Sequence, residues 1–453
     1  MQYYTSKDRF FAPRPIFQSP KRDGAETLTV SQTPCNTDFL GFGVALTGAS
    51  CYLLNEMDPD ARKVLLEDVF SPKGLNLSVA RVSIGASDYS AELYSYDDVP
   101  FDTALEHFSI AKDEEYIIPM IRQALQVRPD LYIFASPWSP PGWMKTGGDL
   151  CGGYMREQYV DCYADYIVKF IKAYASHGIR IRAITPQNEP NTNQAGRMAS
   201  CIWHPETEAK FIKILRRKLD DAGLDVHIWI HDHNFPGEST VRWQLENIAG
   251  LKEACSGAAF HYYSGHIGQT LALKQAYPEL ELHFTEGGPR LYDNYGTDWC
   301  KWMLQIIGAL RCGYKSFTGW NLLLDENGWP NIGPFSCGGL ITRHSETCEL
   351  SYSGQYRAFS HIAKYITPAS KIYPLESKLP FYNALHKFPK AQTQPAEGVL
   401  IDNGDGHPIM VMVNPERGPV GTTSTEGKRT QVLVNGVWWY IELPPECVTT
   451  VFF

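Results

Sequence analysis

Eight short apolar runs, each closing on a cluster of Gly, Ser, Pro, His or Asn, constrain this 453-residue chain more than any other feature. They are Gly41–Thr47, Leu77–Ser83, Leu131–Ser136, Ile181–Thr185, Val226–Ile230, Ala258–Tyr262, Leu280–Thr285 and Ser316–Trp320. Their length and their β-branched and aromatic content read as strands. Longer segments with helical spacing separate them. Glu157–Ser176 carries Tyr159, Tyr163, Ile167, Phe170 and Ile171 at that spacing,. Pro205–Ala222 opens on Pro-Glu and stops beside Gly223, a matched start and stop,. Eight strand–helix alternations predict an α/β fold, a (β/α)8 TIM barrel. No GxGxxG follows the first strand, so a doubly wound dinucleotide-binding sheet loses its main support,.

The two ends read differently. After about Pro368 the helical period stops, and Val399–Gly406, Ile409–Val413 and Gln431–Leu443 read as strands,. Asn435-Gly436 is a two-residue hairpin signal,. Near the N-terminus Glu26–Val30 reads as a further strand. The expected organisation is residues 1–38 contributing to a β-sandwich side domain, 39–368 forming the catalytic barrel, and 369–453 completing the sandwich.

Composition removes several function classes. A net charge of −9 argues against nucleic acid as a partner,. No apolar run approaches the ~20 residues of a membrane span, so no integral membrane segment is expected. Eleven cysteines without a CxxC pair read as free thiols of a reducing compartment,. The first residues lack an apolar signal region, which makes the cytoplasm the expected location, with export by another route left open,. The sequence is silent on oligomeric state.

Barrel chemistry sits at the C-terminal ends of the strands. Two carboxylates stand there. Glu189 lies in Thr185-Pro-Gln-Asn-Glu-Pro190 after the fourth strand, and Glu286 in His283-Phe-Thr-Glu-Gly-Gly-Pro289 after the seventh. A single strand-end Glu is more often a cap or a salt-bridge partner. Two of them, flanked by Pro or Gly and by amide or hydroxyl neighbours, suit glycosidic cleavage with one proton donor and one nucleophile. Partial desolvation is expected to raise the donor's pKa.

Four stretches then carry a resemblance: Ala135–Thr146 (Ala-Ser-Pro-Trp-Ser-Pro-Pro-Gly-Trp-Met-Lys-Thr), Gln187-Asn-Glu-Pro190, Phe284-Thr-Glu286 and Gly319-Trp-Asn-Leu-Leu-Leu324. In that order they resemble glycoside hydrolase family 30, and within it the glucosylceramidase-type branch, from about Gly41 to Pro368. The resemblance implies a (β/α)8 barrel with a fused β-sandwich made from both chain ends. It implies Glu189 as acid/base, Glu286 as nucleophile, and Asn188 on the sugar 2-hydroxyl. Trp138 and Trp320 would line the sugar subsite, with pyranose C–H faces packing on indole. Arg81 would hold Glu286 ionised, although a plain barrel salt bridge is an equal reading. His261 and Tyr263 match a His-aromatic-Tyr element, with Tyr263 able to donate to Glu286. Asn331 matches a residue near the pocket rim. Asp88 matches an acidic residue that orients neighbours, binds substrate or caps a turn.

One position departs from the branch. It usually carries an acid that binds hydroxyls at the far end of glucose where this chain has Gly48, which puts glucose specificity in question. The resemblance implies no cofactor. Metal binding by His231, His233 and His261 is a weak alternative, without HExxH or paired cysteines. The expected substrate is a β-linked glycoside or oligosaccharide, with glucosylceramide-like β-glucosides leading. β-Xylosidase, β-1,6-glucanase and a non-catalytic carbohydrate-binding barrel are the rivals.

Overall fold

The computed structural model of the chain describes residues 1–377, 396–416 and 427–453. Eight parallel strands close into a barrel in chain order. They are β1 (Gly41–Ala45), β2 (Val79–Ile84), β3 (Tyr132–Pro137), β4 (Ile181–Ile184), β5 (His227–Asn234), β6 (Gly257–His261), β7 (Glu281–Glu286) and β8 (Tyr314–Gly319). Each coincides with one of the eight runs. The ring closes by β8 pairing with β1 and by β4 pairing with β5.

The two helices read from spacing are present at Val160–Ser176, after a single 3-10 turn, and at Pro205–Asp221. Pro205 occupies the first turn of its helix, where its missing N–H costs nothing, and Gly223 follows the end with φ +65°,. Both helices turn their apolar faces, including Tyr163, Ile167 and Phe211, onto the barrel wall.

Inside the barrel the period of two sets up layers. Val79, Phe134, Ala183, Trp229 and Ala259 form a buried apolar plug, and His283 stacks on Trp229 with ring centroids 3.5 Å apart. Two residues further along five strands come Arg81, Ser136, Thr185, His261 and Thr285, all buried and all polar. The barrel is therefore packed shut below and polar above, which places every unusual group at one end. The fifth strand breaks the count. Its pairing with β6 shifts between His231 and His233, and His231 and Asp232 have φ of +79° and +52°. This bulge turns Asp232 into the polar layer, while His231 packs outward against Gly237 and Phe260,.

The chain ends form a ten-stranded sheet beside the barrel. The expected strand Glu26–Val30 lies between Lys371–Ser377 and Lys428–Val434. Three more strands, Gln2–Ser6, Arg9–Arg14 and Phe17–Gln18, precede it, and Gln2–Ser6 pairs with the last strand, Cys447–Phe452. Lys371–Ser377 runs through both halves of the sheet, and Leu28, Val432 and Ile441 from one half pack with Met410, Met412 and Val451 from the other. The hairpin falls at Asn435-Gly436, both with positive φ. Within the expected 369–453 module, 378–395 and 417–426 lie outside the described residues. No disulfide joins any of the eleven cysteines. Among the described residues no helix is long and apolar enough to cross a membrane.

Candidate active site

Arg81 organises the upper barrel. From the middle of β2 its guanidinium donates to Glu286 Oε2 at 2.5 Å, to Asn188 Oδ1 and Asp232 Oδ2 at 2.8 Å each, and to Ser136 Oγ at 3.2 Å. Burial works against its charge, but the carboxylates of Asp232 and Glu286 outweigh that and raise its pKa. Only a planar fork reaches partners on four different strands or strand ends at once. Trp138 and Trp320 stack on one another at 5.3 Å, and the guanidinium lies 4.8 and 5.3 Å from their ring centres. One face of each indole is thus taken up by the other ring, and both residues also line the cavity described below.

Asp232 is the second hub, and sequence reading missed it except as a neighbour of two histidines. Besides Arg81, it accepts from Thr185 Oγ1 and Thr285 Oγ1 at 2.7 Å, Ser136 Oγ at 2.9 Å and His261 Nε2 at 3.0 Å. Burial would raise its pKa, yet Arg81 and His261 hold it well below the carboxylate range. No sequence pattern marks a bulge. The hydroxyls of Ser136, Thr185 and Thr285 were visible as polar residues at the ends of otherwise apolar runs.

Glu189 follows β4 with φ +50°, its N–H donating to Asp232 O at 3.0 Å. Three non-glycine residues in the left-handed region, Glu189, His231 and Asp232, meet at this one end. Such strain persists where surrounding contacts over-determine it, commonly at functional sites. Two imidazoles reach the same carboxylate oxygen of Glu189: His261 Nδ1 and His233 Nε2, each 3.3 Å from Oε1. Burial alone would push the Glu189 carboxyl up, as expected from its place at a strand end. Hydrogen bonds from His233 and His261, and the charge on those rings, win instead and hold it low. Correspondingly, burial opposes charge on His261, but Glu286, Asp232 and Glu189 together push it up to about 9. The two shifts, Glu189 down and His261 up, run in the directions that an ion pair between them would produce.

A cavity of about 340 Å³ opens over these groups. Glu189, Glu286, Asn188, Trp138, Trp320, Tyr263 and Asp88 all line it. The Tyr263 phenol is buried near Glu286, whose charge, after burial, keeps it well above its usual pKa, and Arg290 lies over its ring at 4.8 Å. Asn331 is not on the cavity wall. It donates to Phe335 O at 2.6 Å and so braces the loop whose Phe335 ring does line the cavity. The histidines weighed as metal ligands have other partners: His231 Nε2 meets Asn234 O at 3.1 Å, and His261 is spent on Asp232 and Glu189. Gly48 opens the helix Gly48–Asn55, and a Cβ there would stand 3.1 Å from Ser90 Oγ.

A closed parallel barrel with two carboxylates facing one cavity at its C-terminal mouth has the parts that a hydrolase of glycosidic bonds uses. The model of the glycosyl hydrolase family 30 TIM-barrel domain matches residues 39–366, and the chain belongs to that family. It is similar to the endo-1,6-β-D-glucanase of Neurospora crassa, 27% identical over 89% of this chain and 86% of that one. It is also similar to putative glucosylceramidase 3 of Caenorhabditis elegans, 30% identical over 76% of this chain and 70% of the relative. Among solved structures, the endo-β1,6-glucanase BT3312 superposes with a TM-score of 0.84 at 27% identity, covering 100% of this chain and 98% of that one.

Proposed function

We propose that this chain is a retaining β-glycosidase whose nucleophile is Glu286 and whose acid/base is Glu189. The observation that carries the reading is one nitrogen. His261 Nδ1 lies 3.3 Å from Glu189 Oε1 and 3.9 Å from Glu286 Oε2, so a single imidazole spans the gap between the carboxylates. These distances limit the two oxygens to at most about 7 Å apart, which admits the roughly 5 Å of double displacement and excludes most of the roughly 6.5–9.5 Å that inversion needs to seat a water,.

In the first step a Glu286 oxygen attacks the anomeric carbon and the glycosidic C–O bond breaks. The departing oxygen takes the proton held between His261 and Glu189, delivered by Glu189. In the second step Glu189 removes a proton from water, whose oxygen attacks the same carbon and frees Glu286. Asn188 accepts from Arg81 through Oδ1, which leaves its NH2 group for a sugar hydroxyl,.

For the substrate, the proposal is a β-1,6-linked glucan, with glucosylceramide as the second candidate. The cavity wall presents Thr192, Gln194, His233, Asn234 and Arg290 together with the apolar Met198 and Phe335. Those polar groups give the hydroxyls of a sugar leaving group partners to bond. The likeness to a fungal endo-1,6-β-D-glucanase over 89% of the chain points the same way. Glu286→Ala is expected to lose turnover and to regain part of it with azide, releasing a glycosyl azide; undiminished activity would sink the nucleophile assignment. Reducing-sugar release from β-1,6-glucan, glucosylceramide and β-xylosides, compared by kcat/KM, tests the substrate. A clear preference for either of the last two would overturn the glucan reading.

A further inference from the structure

Two loops meet over the cavity from opposite sides of the barrel. One follows β4 and places Thr192, Gln194 and Met198 on the cavity wall; the other follows β8 and places Phe335 and Cys337 there. In the closed ring of eight strands β4 and β8 stand across from one another, so a contact between their loops has to cross the mouth. Arg197 and Phe335 make that contact: the guanidinium lies over the phenyl ring, 5.2 Å from its centre,. The backbones approach as well. A Cβ on Gly333 would run into the Phe335 ring and stand 3.6 Å from the Arg197 carbonyl, so glycine is what lets the second loop fold up against the first,.

Both loops are held at their bases. Lys145 is buried, and its ammonium donates to the carbonyls of Leu150, Gly152 and Ser200 at 2.8 Å each. A buried charge persists only where it is bonded in this way, and these bonds tie the foot of the β4 loop to the strand Cys151–Tyr154,. In the β8 loop Ile332 N–H donates to the Asp88 carbonyl at 2.7 Å and Cys337 N–H to the Tyr89 hydroxyl at 3.0 Å. The strap is thus part of the wall, and its position in the ring is defined. Met198, next to Arg197, packs in one apolar cluster with Tyr89, Trp138 and Trp320, which follow β2, β3 and β8. Glu189 and His233, at the ends of β4 and β5, lie on the other side. A leaving group departs past Glu189, so the remainder of the attacked sugar points toward the strap.

We propose that the Arg197–Phe335 strap ends the cavity after a single sugar, so that the enzyme takes the non-reducing end of a β-linked glucan and releases one glucose at a time. The inference rests on the glycosidase reading above. An enzyme that cuts within a chain has to lead the next sugar out beyond the one on Glu286, and here that path meets the strap. Selection of this kind works by exclusion rather than by attraction.

The test compares p-nitrophenyl β-glucoside with p-nitrophenyl β-gentiobioside, whose second glucose is attached through O6 of the first. The proteins are wild type, Arg197→Ala and the double variant Arg197→Ala, Phe335→Ala. The signal is gentiobiose released together with nitrophenol at the first turnover, which requires two sugars to occupy the site at once. The wild type is expected to hydrolyse the monoglucoside and to form no gentiobiose from the diglucoside. Removing the strap should bring gentiobiose out, most of all in the double variant. Product ratios are taken within each protein, so a misfolded fraction cancels. Gentiobiose as a first product of the wild type would overturn the closed cavity and leave the glycosidase reading standing. A double variant that hydrolyses the monoglucoside yet makes no gentiobiose would overturn the role of Arg197 and Phe335. A wild type inert toward both substrates would bring down the glycosidase reading and this inference with it.

Discussion

His261 donates through Nε2 to Asp232 Oδ1 at 3.0 Å while its other nitrogen faces Glu189 and Glu286, so one ring joins the structural hub to both carboxylates. Its pKa rises from an ordinary 6.5 to about 9 in the folded protein. A raised folded pKa means that the native state holds a proton the unfolded chain releases. The stabilisation is complete below pH 6.5 and is lost as pH climbs through about 9. The amount is on the order of 3 kcal/mol. Urea unfolding measured from pH 6 to pH 9.5 should show the wild type weakening over this window, and His261→Gln should show a flatter profile. Parallel profiles would refute the shift.

Arg81 offers a sharper stability test. Replacing it with Gln leaves Asp232 and Glu286 buried without their shared cation. Breaking a buried ion pair from one side costs about 3–5 kcal/mol. Arg81→Lys should recover little of this, because an ammonium is a single point and cannot serve Glu286, Asn188, Asp232 and Ser136 together,. Unfolding free energies of the two variants within about half a kcal/mol of wild type would show that the pair is not held as described.

Sequence patterning revealed the barrel because its walls obey one rule: each strand is apolar on the helix side and ends in polar residues. The same rule hid the hub. Two residues after Trp229 the alternation points to His231, and only the inserted residue of the bulge turns Asp232 inward instead. A period-two argument is blind to a local change of count. The direction of the Glu189 pKa was misread for a related cause. Burial was foreseeable from the apolar strand, but the two imidazoles that reverse it come from β6 and from the end of β5, far away in sequence. The strands at Gln2–Ser6 and Arg9–Arg14 carry little strand signal, because the first is polar apart from two tyrosines and the second holds two arginines and a proline.

Another buried acid lies outside the cavity. Asp113 receives the hydroxyls of Tyr94, Tyr96 and Tyr174, each at 2.6 Å, and so ties the segment after β2 to the helix Val160–Ser176. Charge-assisted bonds of this kind contribute about 1.5–3 kcal/mol each. Tyr174→Phe should lower the unfolding free energy by about that much and leave KM and kcat within twofold of wild type. A large kinetic effect without loss of stability would place this cluster in the catalytic machinery.

Glu189→Gln separates the two roles of the acid/base. The amide cannot give a proton to the departing oxygen, so poorly activated substrates, β-1,6-glucan among them, should fall by roughly 10²–10⁴ in kcat/KM. An activated aryl glycoside, such as the 2,4-dinitrophenyl β-glucoside, leaves without protonation and should form the glycosyl-enzyme nearly as fast as in the wild type. It then stalls, because nothing removes a proton from the incoming water. The signature is a burst of dinitrophenol followed by slow turnover. Azide, which needs no general base, should accelerate the second phase and yield the β-glycosyl azide, the opposite anomer to that expected from Glu286→Ala. Stopped-flow absorbance reads the burst, and NMR of the azide product reads its configuration. Equal losses on activated and unactivated substrates would reassign the proton donor away from Glu189.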